Sequence, residues 1–110
     1  MMKYKLINLT GHPIKIQSQD AIVEIPCSGK LRARYETQCL GPLKTDHGII
    51  ELTKNYYLRL PYMPKQRNNT YYLVSRLIAE LYPERGDLLI VNGLKKENGK
   101  VIYCRSLAKL

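Results

Sequence analysis

His12 is the first residue whose chemistry is of interest, because it lies in a short turn sequence, Asn8-Leu9-Thr10-Gly11-His12-Pro13. An imidazole on a turn can act near neutral pH as a general acid or base, or as a ligand contact. Pro13 disfavours a helical backbone at His12, and Gly11 can supply positive φ, so the turn has reason to form without the ring. Two interpretations therefore stay open: a functional imidazole, or a structural or incidental surface residue.

A second group of candidate residues surrounds a predicted short helix that Ser75 caps and Pro83 ends. Free backbone amides at a helix start can bind an anion, here beside Ser75 and Arg76. Arg85 and Asp87 follow the helix, and such a pair commonly fixes a loop. We therefore list Ser75, Arg76 and Arg85 as candidate anion contacts, and for Arg85 with Asp87 the favoured interpretation is a structural pair.

Further arginines are predicted on strands, where guanidinium groups can be presented to phosphates. Arg32 and Arg34 alternate with apolar residues and are expected to share one strand face, and Arg105 lies near the end of the chain. Tyr71 and Tyr72 are candidates for stacking on bases. The alternatives are a solvated arginine face and tyrosines of the core.

The other chemistry-bearing residues form no recognisable site. The sequence has no Gly-rich phosphate loop, HExxH, nucleophile elbow or CxxC pair, which argues against the common enzyme classes. Cys27, Cys39 and Cys104 are too widely spaced to support a zinc site with His12 and His47. We expect no metal and no cofactor, and we expect Cys39 and Cys104 to be buried thiols on strands.

Composition limits the class of protein and its partners. A chain of 110 residues with 45% hydrophobic residues fits one domain, residues 1–110, with a core of its own. The formal net charge of +9 favours an anionic partner, with solubility as the alternative explanation. No apolar run is long enough for a membrane span or a signal peptide, so we expect a soluble, cytoplasmic protein without membrane partners.

The elements that must position these residues are mostly strands, since apolar and polar residues alternate with a period of two. We predict loops at 41–48 and 61–69, a helix from Ser75 to about Tyr82, and a hairpin turn at Asn98-Gly99. The predicted strands are 3–9, 14–17, 21–25, 31–39, 49–52, 56–60, 70–74, 87–91 and 101–105. In strand 31–39 we expect one face to pack and the other to meet water or a ligand.

These elements predict an α+β fold: mainly antiparallel β, as a curved sheet or small barrel, with one short helix. These short strands and the single helix fit one domain. The sheet would carry the candidate residues on its exposed face and at its turns.

Several stretches together resemble a family of small proteins of phages, viruses and prokaryotes: NLTGHPIKI, IPCSG, YYLVSRLIAE, PERGDLLIVNG and CRSLAKL. The resemblance covers nearly the whole chain, and Gly11 stands where the family more often has proline. It brings no established activity. The context that it implies is a protein of viral or phage origin in the host cytoplasm, acting against host defence.

The sequence favours a non-catalytic accessory module that binds an anionic ligand, either nucleotide or nucleic acid. The expected contacts are His12, Arg32, Arg34, Ser75, Arg76, Arg85 and Arg105. One alternative is a small phosphodiester-cleaving enzyme in which His12 is the acid or base and Arg or Lys stabilises the transition state. Another is a structural or protein-interaction subunit, for which a homo-oligomer or an open sheet edge is expected.

Overall fold

The computed structural model describes residues 3–110, in which the chain forms eight strands and one helix. In chain order these are β1 (Lys5–Asn8), β2 (Ile14–Ser18), β3 (Ala21–Ile25), β4 (Arg34–Thr45), β5 (Gly48–Leu58), β6 (Thr70–Leu73), α1 (Arg76–Leu81), β7 (Leu88–Glu97) and β8 (Lys100–Ala108).

Six of these strands form one curved sheet in the order β1-β6-β7-β8-β2-β3. The pairs β7–β8 and β2–β3 are antiparallel, whereas β1–β6, β6–β7 and β2–β8 are parallel. The predicted fold class, a curved sheet of α+β type with one short helix, is confirmed. The sheet itself is mixed, because β6 and β7 run parallel to β1. The helix α1 connects β6 to β7.

The core lies on both faces of this sheet, because β6 is an inner strand whose side chains alternate between the two faces. Tyr72 and Val74 pack in one cluster with Ile78 of α1. Leu73 packs in the other cluster with Cys104 of β8. Leu73 and Ile78 are both completely buried, and each such side chain contributes about 2 kcal/mol of hydrophobic stabilisation.

The helix begins and ends as the sequence predicts. Ser75 is its N-cap, and the Ser75 hydroxyl accepts a hydrogen bond from the Ile78 amide at 3.4 Å. Tyr82 is its C-cap, and Pro83 follows. The helix holds six residues and packs its buried face, Ile78 and Ala79, against the sheet.

The predicted hairpin turn between β7 and β8 is also present. Asn98 has a φ of 50° and Gly99 a φ of 78°, the two positive values that a tight two-residue hairpin turn needs. The strands on either side are longer than predicted and run to Glu97 and from Lys100.

β4 and β5 form a separate antiparallel hairpin, residues 34–58, which we call the arm. Every residue of β5 is exposed, and in β4 only Gly41 and Thr45 are partly covered. The arm makes no substantial contact with any other helix or strand of residues 3–110. The arm explains why the radius of gyration of the chain is 18.1 Å, whereas a compact chain of this length has a radius of gyration of about 13 Å.

The arm corrects three predictions. The predicted loop at Gly41-Pro42 is part of β4, where Leu40 forms a bulge and Gly41 adopts a φ of 101°. The predicted strands 49–52 and 56–60 are one continuous strand, β5. The face expected to pack in strand 31–39 is exposed from Arg34 onward, and Cys39 is an exposed thiol, whereas Cys104 is buried as expected.

Candidate functional site

The turn that contains His12 is organised by Asn8, which is completely buried at the end of β1. The Asn8 side-chain amide donates hydrogen bonds to the carbonyl oxygens of His12 (2.9 Å) and Ile25 (3.2 Å). Its oxygen accepts from the Thr10 amide (3.0 Å) and the Thr10 hydroxyl (2.6 Å). All four hydrogen-bonding capacities of this side chain are therefore used, and they join β1, the turn and the end of β3.

His12 contributes its backbone to this arrangement and leaves its ring at the surface. The Thr10 hydroxyl also lies 3.0 Å from the His12 carbonyl oxygen, while the ring has a polar contact from Nδ1 to the Pro13 carbonyl oxygen at 3.2 Å. Gly11 has a φ of 93°, which glycine adopts without strain. The geometry of the turn therefore accounts for the types of residue around His12, and the His12 imidazole remains free to contact a ligand.

The His12 ring borders an open groove of about 900 Å³ between β2–β3 and the β7–β8 hairpin. Its charged lining residues are balanced, since Lys15 and Lys100 stand against Glu24 and Glu97. The remaining lining residues are mostly apolar: Pro13, Ile14, Val91, Leu94, Val101, Ile102, Tyr103 and Cys104, with Asn98 at the hairpin turn. Of the seven residues predicted from sequence as ligand contacts, only His12 lines this groove.

The predicted strand arginines point to solvent at separate places. Leu31 and Ala33 pack against the core, so Arg32 and Arg34 both point outward, but only Arg34 belongs to β4. Arg105 is exposed on β8 beside Gly93 of β7. The prediction that Arg32 and Arg34 lie on one strand is wrong, because β4 begins at Arg34 and Arg32 precedes it.

Ser75 and Arg76 lie together at the start of α1, but their polar groups already have partners. The Ser75 hydroxyl caps the helix, and Arg76 Nε lies 3.0 Å from a carboxylate oxygen of Glu80, one turn along. Both Arg76 and Glu80 are largely exposed, so this ion pair adds little stability.

Arg85 and Asp87 form the bidentate pair that the sequence favours. Arg85 donates from Nε and Nη2 to the two carboxylate oxygens of Asp87, both at 2.7 Å. The Asp87 side chain is only 3% exposed, and this hydrogen-bonded pairing raises the pKa of the Arg85 guanidinium above its ordinary value. The pair fixes the loop between α1 and β7.

An aromatic and basic cluster, of which only Tyr71 is predicted from the sequence, lies at the edge strand β1. The rings of Tyr4 and Tyr71 have centroids 5.2 Å apart and planes inclined by 59°. Lys109 Nζ lies 5.5 Å from the centre of the Tyr71 ring, within cation–π range. We call these three residues the platform.

The platform is open to solvent at Tyr4, and exposed lysines adjoin Tyr4 in the sequence. Tyr4 is 56% exposed, and its neighbours Lys3 and Lys5 are exposed on either side. Lys109 also lines a small cleft of about 150 Å³ together with the predicted contact Arg85. The signal in the sequence was the alternation of lysine and tyrosine in Lys3-Tyr4-Lys5, which marks an exposed edge strand.

Of the two tyrosines predicted to stack on bases, the structure exposes only one. Tyr72 is 3% exposed and lies in the core, where its hydroxyl donates to the Lys65 carbonyl at 3.2 Å. Tyr71 is half-buried, on the opposite face of β6, and belongs to the platform.

Charge is divided unevenly between the arm and the rest of the chain, which we call the body. The arm has three acidic and three basic residues, so the net charge of +9 belongs to the body. The body contains fifteen Lys and Arg against six Asp and Glu. Within residues 3–110, three of those six acids are held in ion pairs with Arg59, Arg76 and Arg85.

No family model, curated protein or solved structure matches the chain. Residues 3–110 contain no group of three or more His, Cys, Asp or Glu side chains arranged to hold a metal ion. Among the same residues, no helix has the length and apolar character needed to cross a membrane.

Proposed function

We propose that the protein is a non-catalytic module that binds an anionic ligand of the nucleotide or nucleic-acid class, with the platform as its contact to a base. The observation that carries this proposal is the exposed Tyr4 ring against Tyr71, with Lys109 over the second ring. An aromatic surface flanked by lysines suits single-stranded nucleic acid, because bases stack on the rings while ammonium groups neutralise phosphates.

The charge of the body supports the same proposal. With three of its six acids already paired to arginines, the body leaves twelve Lys and Arg side chains without an ion pair against three acids in residues 3–110. Such an excess attracts a polyanion from a distance and holds it by release of counterions. Lys109 places part of this excess beside the Tyr71 ring, and the exposed Lys3 and Lys5 flank Tyr4 in the sequence.

The groove beside His12 is the weaker candidate for an anion, because its two lysines face two glutamates. Its apolar lining suits a neutral ligand better than a phosphate. Arg32, Arg34 and Arg105 serve in this proposal as parts of the general positive surface. Arg85 has a closer role, since it lines the small cleft next to Lys109.

Binding is tested by fluorescence anisotropy with labelled single-stranded DNA and RNA, at low and moderate salt, after a thermal-shift screen with nucleotides and cyclic dinucleotides. Tyr4→Ala removes a stacking surface worth about 1–3 kcal/mol, so affinity is expected to fall roughly 5- to 150-fold. Lys109→Gln is expected to weaken binding and to reduce the salt dependence by about one phosphate contact.

The matched control is Tyr62→Ala, since Tyr62 is 88% exposed and does not belong to the platform. Equal losses for Tyr4→Ala and Tyr62→Ala would refute the platform as the site. The absence of any thermal shift or anisotropy change would refute the function itself. Recovery of intact ligand is expected, whereas a consumed ligand, with turnover lost in His12→Ala, would favour the phosphodiester-cleaving alternative.

A further inference from the structure

The two faces of the arm differ in character, because successive side chains of a strand point to opposite sides. On one face of the arm, Thr37 bonds to Asn55 at 2.8 Å and the Cys39 thiol lies 3.1 Å from Glu51. The centre of this face is therefore polar.

The other face is apolar toward the tip. Leu43 lies opposite Ile50, Leu52 lies opposite Gly41, and the bulge residue Leu40 directly precedes Gly41. These side chains are about half exposed, at 51% for Leu40, 47% for Leu43, 52% for Ile50 and 44% for Leu52. We call these four residues the distal patch.

The apolar face of a two-stranded hairpin of this kind is expected to be buried against another surface. In water an isolated hairpin is marginally stable, and an antiparallel sheet normally buries its apolar face. No other helix or strand of residues 3–110 covers the distal patch. The 23 residues of β4 and β5 nevertheless form a continuous ladder with a single bulge.

We propose that the distal patch is a dimerisation surface on which the same patch of a second copy packs, face to face. This inference is independent of the proposed binding function. A flat apolar face is complementary to its own copy, and a two-fold axis brings identical patches together.

The distribution of charge favours a second arm as the occupant. Two bodies of +9 repel each other, whereas each arm carries three positive and three negative side chains and can approach another arm without net repulsion. A polyanion is attracted to the body and has no reason to cover a neutral apolar face.

The area is sufficient for a weak dimer. Covering the distal patch with Tyr56 and the adjoining aliphatic stems removes on the order of 500 Å² per copy, or about 1,000 Å² in total. That total is at the lower limit of specific interfaces, so a dissociation constant in the micromolar range or weaker is expected.

Sedimentation equilibrium at moderate salt, over a range from about micromolar to about millimolar protein, tests the proposal. The wild-type chain is expected to convert from monomer to dimer over this range. Ile50→Glu places a charge in the interface and is expected to weaken the dimer at least about 30-fold, as substitution of a central interface residue does.

Ile49→Glu is the matched control, because Ile49 is the neighbouring isoleucine on the opposite face and is 71% exposed. It is expected to leave the dimer intact. Val101→Glu is a second control, since Val101 lines the groove beside His12 and is expected to have no effect. The melting temperature reports that the body of each variant is folded, and far-ultraviolet circular dichroism of the monomer, compared with the wild-type monomer, reports that the arm keeps its strands.

Three results would overturn the proposal. One is a wild-type chain that stays monomeric up to millimolar concentration. Another is an equal weakening of the dimer by Ile49→Glu and Ile50→Glu, which would show that the interface is not confined to the face of the arm that carries Ile50. The third is a dimer lost in Val101→Glu, which would place the arm in the groove of its partner instead.

Discussion

Replacing Asn8 by alanine is expected to destabilise the protein far more than an ordinary asparagine substitution. The change removes four hydrogen bonds of a completely buried side chain, two donated to carbonyl oxygens and two accepted from Thr10. At about 1 kcal/mol for each bond the loss is about 4 kcal/mol. The Thr10 hydroxyl can still bond to the His12 carbonyl, so we expect about 3 kcal/mol.

Urea denaturation followed by circular dichroism measures this loss. A loss of about 3 kcal/mol corresponds to a fall in melting temperature of about 12 °C or more for a domain of this size. Asn92→Ala is the control, because Asn92 is exposed and makes one bond, to Ser106 at 3.2 Å, so its effect is expected within about 0.5 kcal/mol. A loss below about 1 kcal/mol for Asn8→Ala would refute the reasoning, since it would mean that water replaces the buried amide at little cost.

Three further predictions follow from the same contacts. Asp87→Asn leaves the Arg85 guanidinium largely buried without its counter-charge and is expected to cost about 3 kcal/mol by urea denaturation, whereas the exposed Glu80→Gln is expected to cost less than about 0.5 kcal/mol. Burial raises the pKa of the Cys104 thiol, so the unfolded chain loses this proton first and the free energy of unfolding is expected to fall as pH rises above about 8.5, in a component absent from Cys104→Ala. His12→Ala is expected to leave the melting temperature within about 2 °C of wild type, because the turn is held by the backbone of His12 and its ring is exposed.

Local signals in the sequence predict the elements that local chemistry determines. The Asn98-Gly99 turn, the Ser75 cap and the alternation in β2 each depend on residues close in sequence, and each is present in the structure. The order of the strands depends on contacts between distant segments, so it cannot be predicted from such signals. The parallel pairing of β2 with β8, at Ile16 and Cys104, is one such contact.

The arm shows where alternation misleads. Its pattern predicts a strand whose face with Tyr35, Thr37 and Cys39 packs, but that face is exposed, and the apolar side chains nearer the tip lie on the other face. No other helix or strand of residues 3–110 packs on either face. A periodic pattern indicates which side chains will be buried, and it does not say whether the covering surface belongs to the same molecule. The Gly41-Pro42 pair predicts a loop, yet here it continues β4 directly after the bulge at Leu40. β4 is an edge strand of the two-stranded arm, a position in which proline is tolerated.

The candidate site was predictable only in part. Asn8 has a structural role that local signals show only in part, because its side chain bonds to Ile25 at the distant end of β3 as well as to Thr10 and His12 in its own turn. Tyr71 and Tyr72 are chemically identical and adjacent, so only the order of the sheet decides which one is exposed. Lys109 joins the platform from the opposite end of the chain.

The two proposals together make a prediction that neither makes alone. A dimer joined through its arms carries two basic bodies, so a long single strand can contact both platforms, while a short one reaches only one. The second contact is intramolecular and raises the apparent affinity for long strands by about 10²-fold or more. Ile50→Glu should therefore weaken binding to a long oligonucleotide and leave binding to a short one unchanged, as measured by anisotropy with two probe lengths. Ile49→Glu should alter neither, and an equal loss for both probe lengths would show that the arm takes part in binding directly.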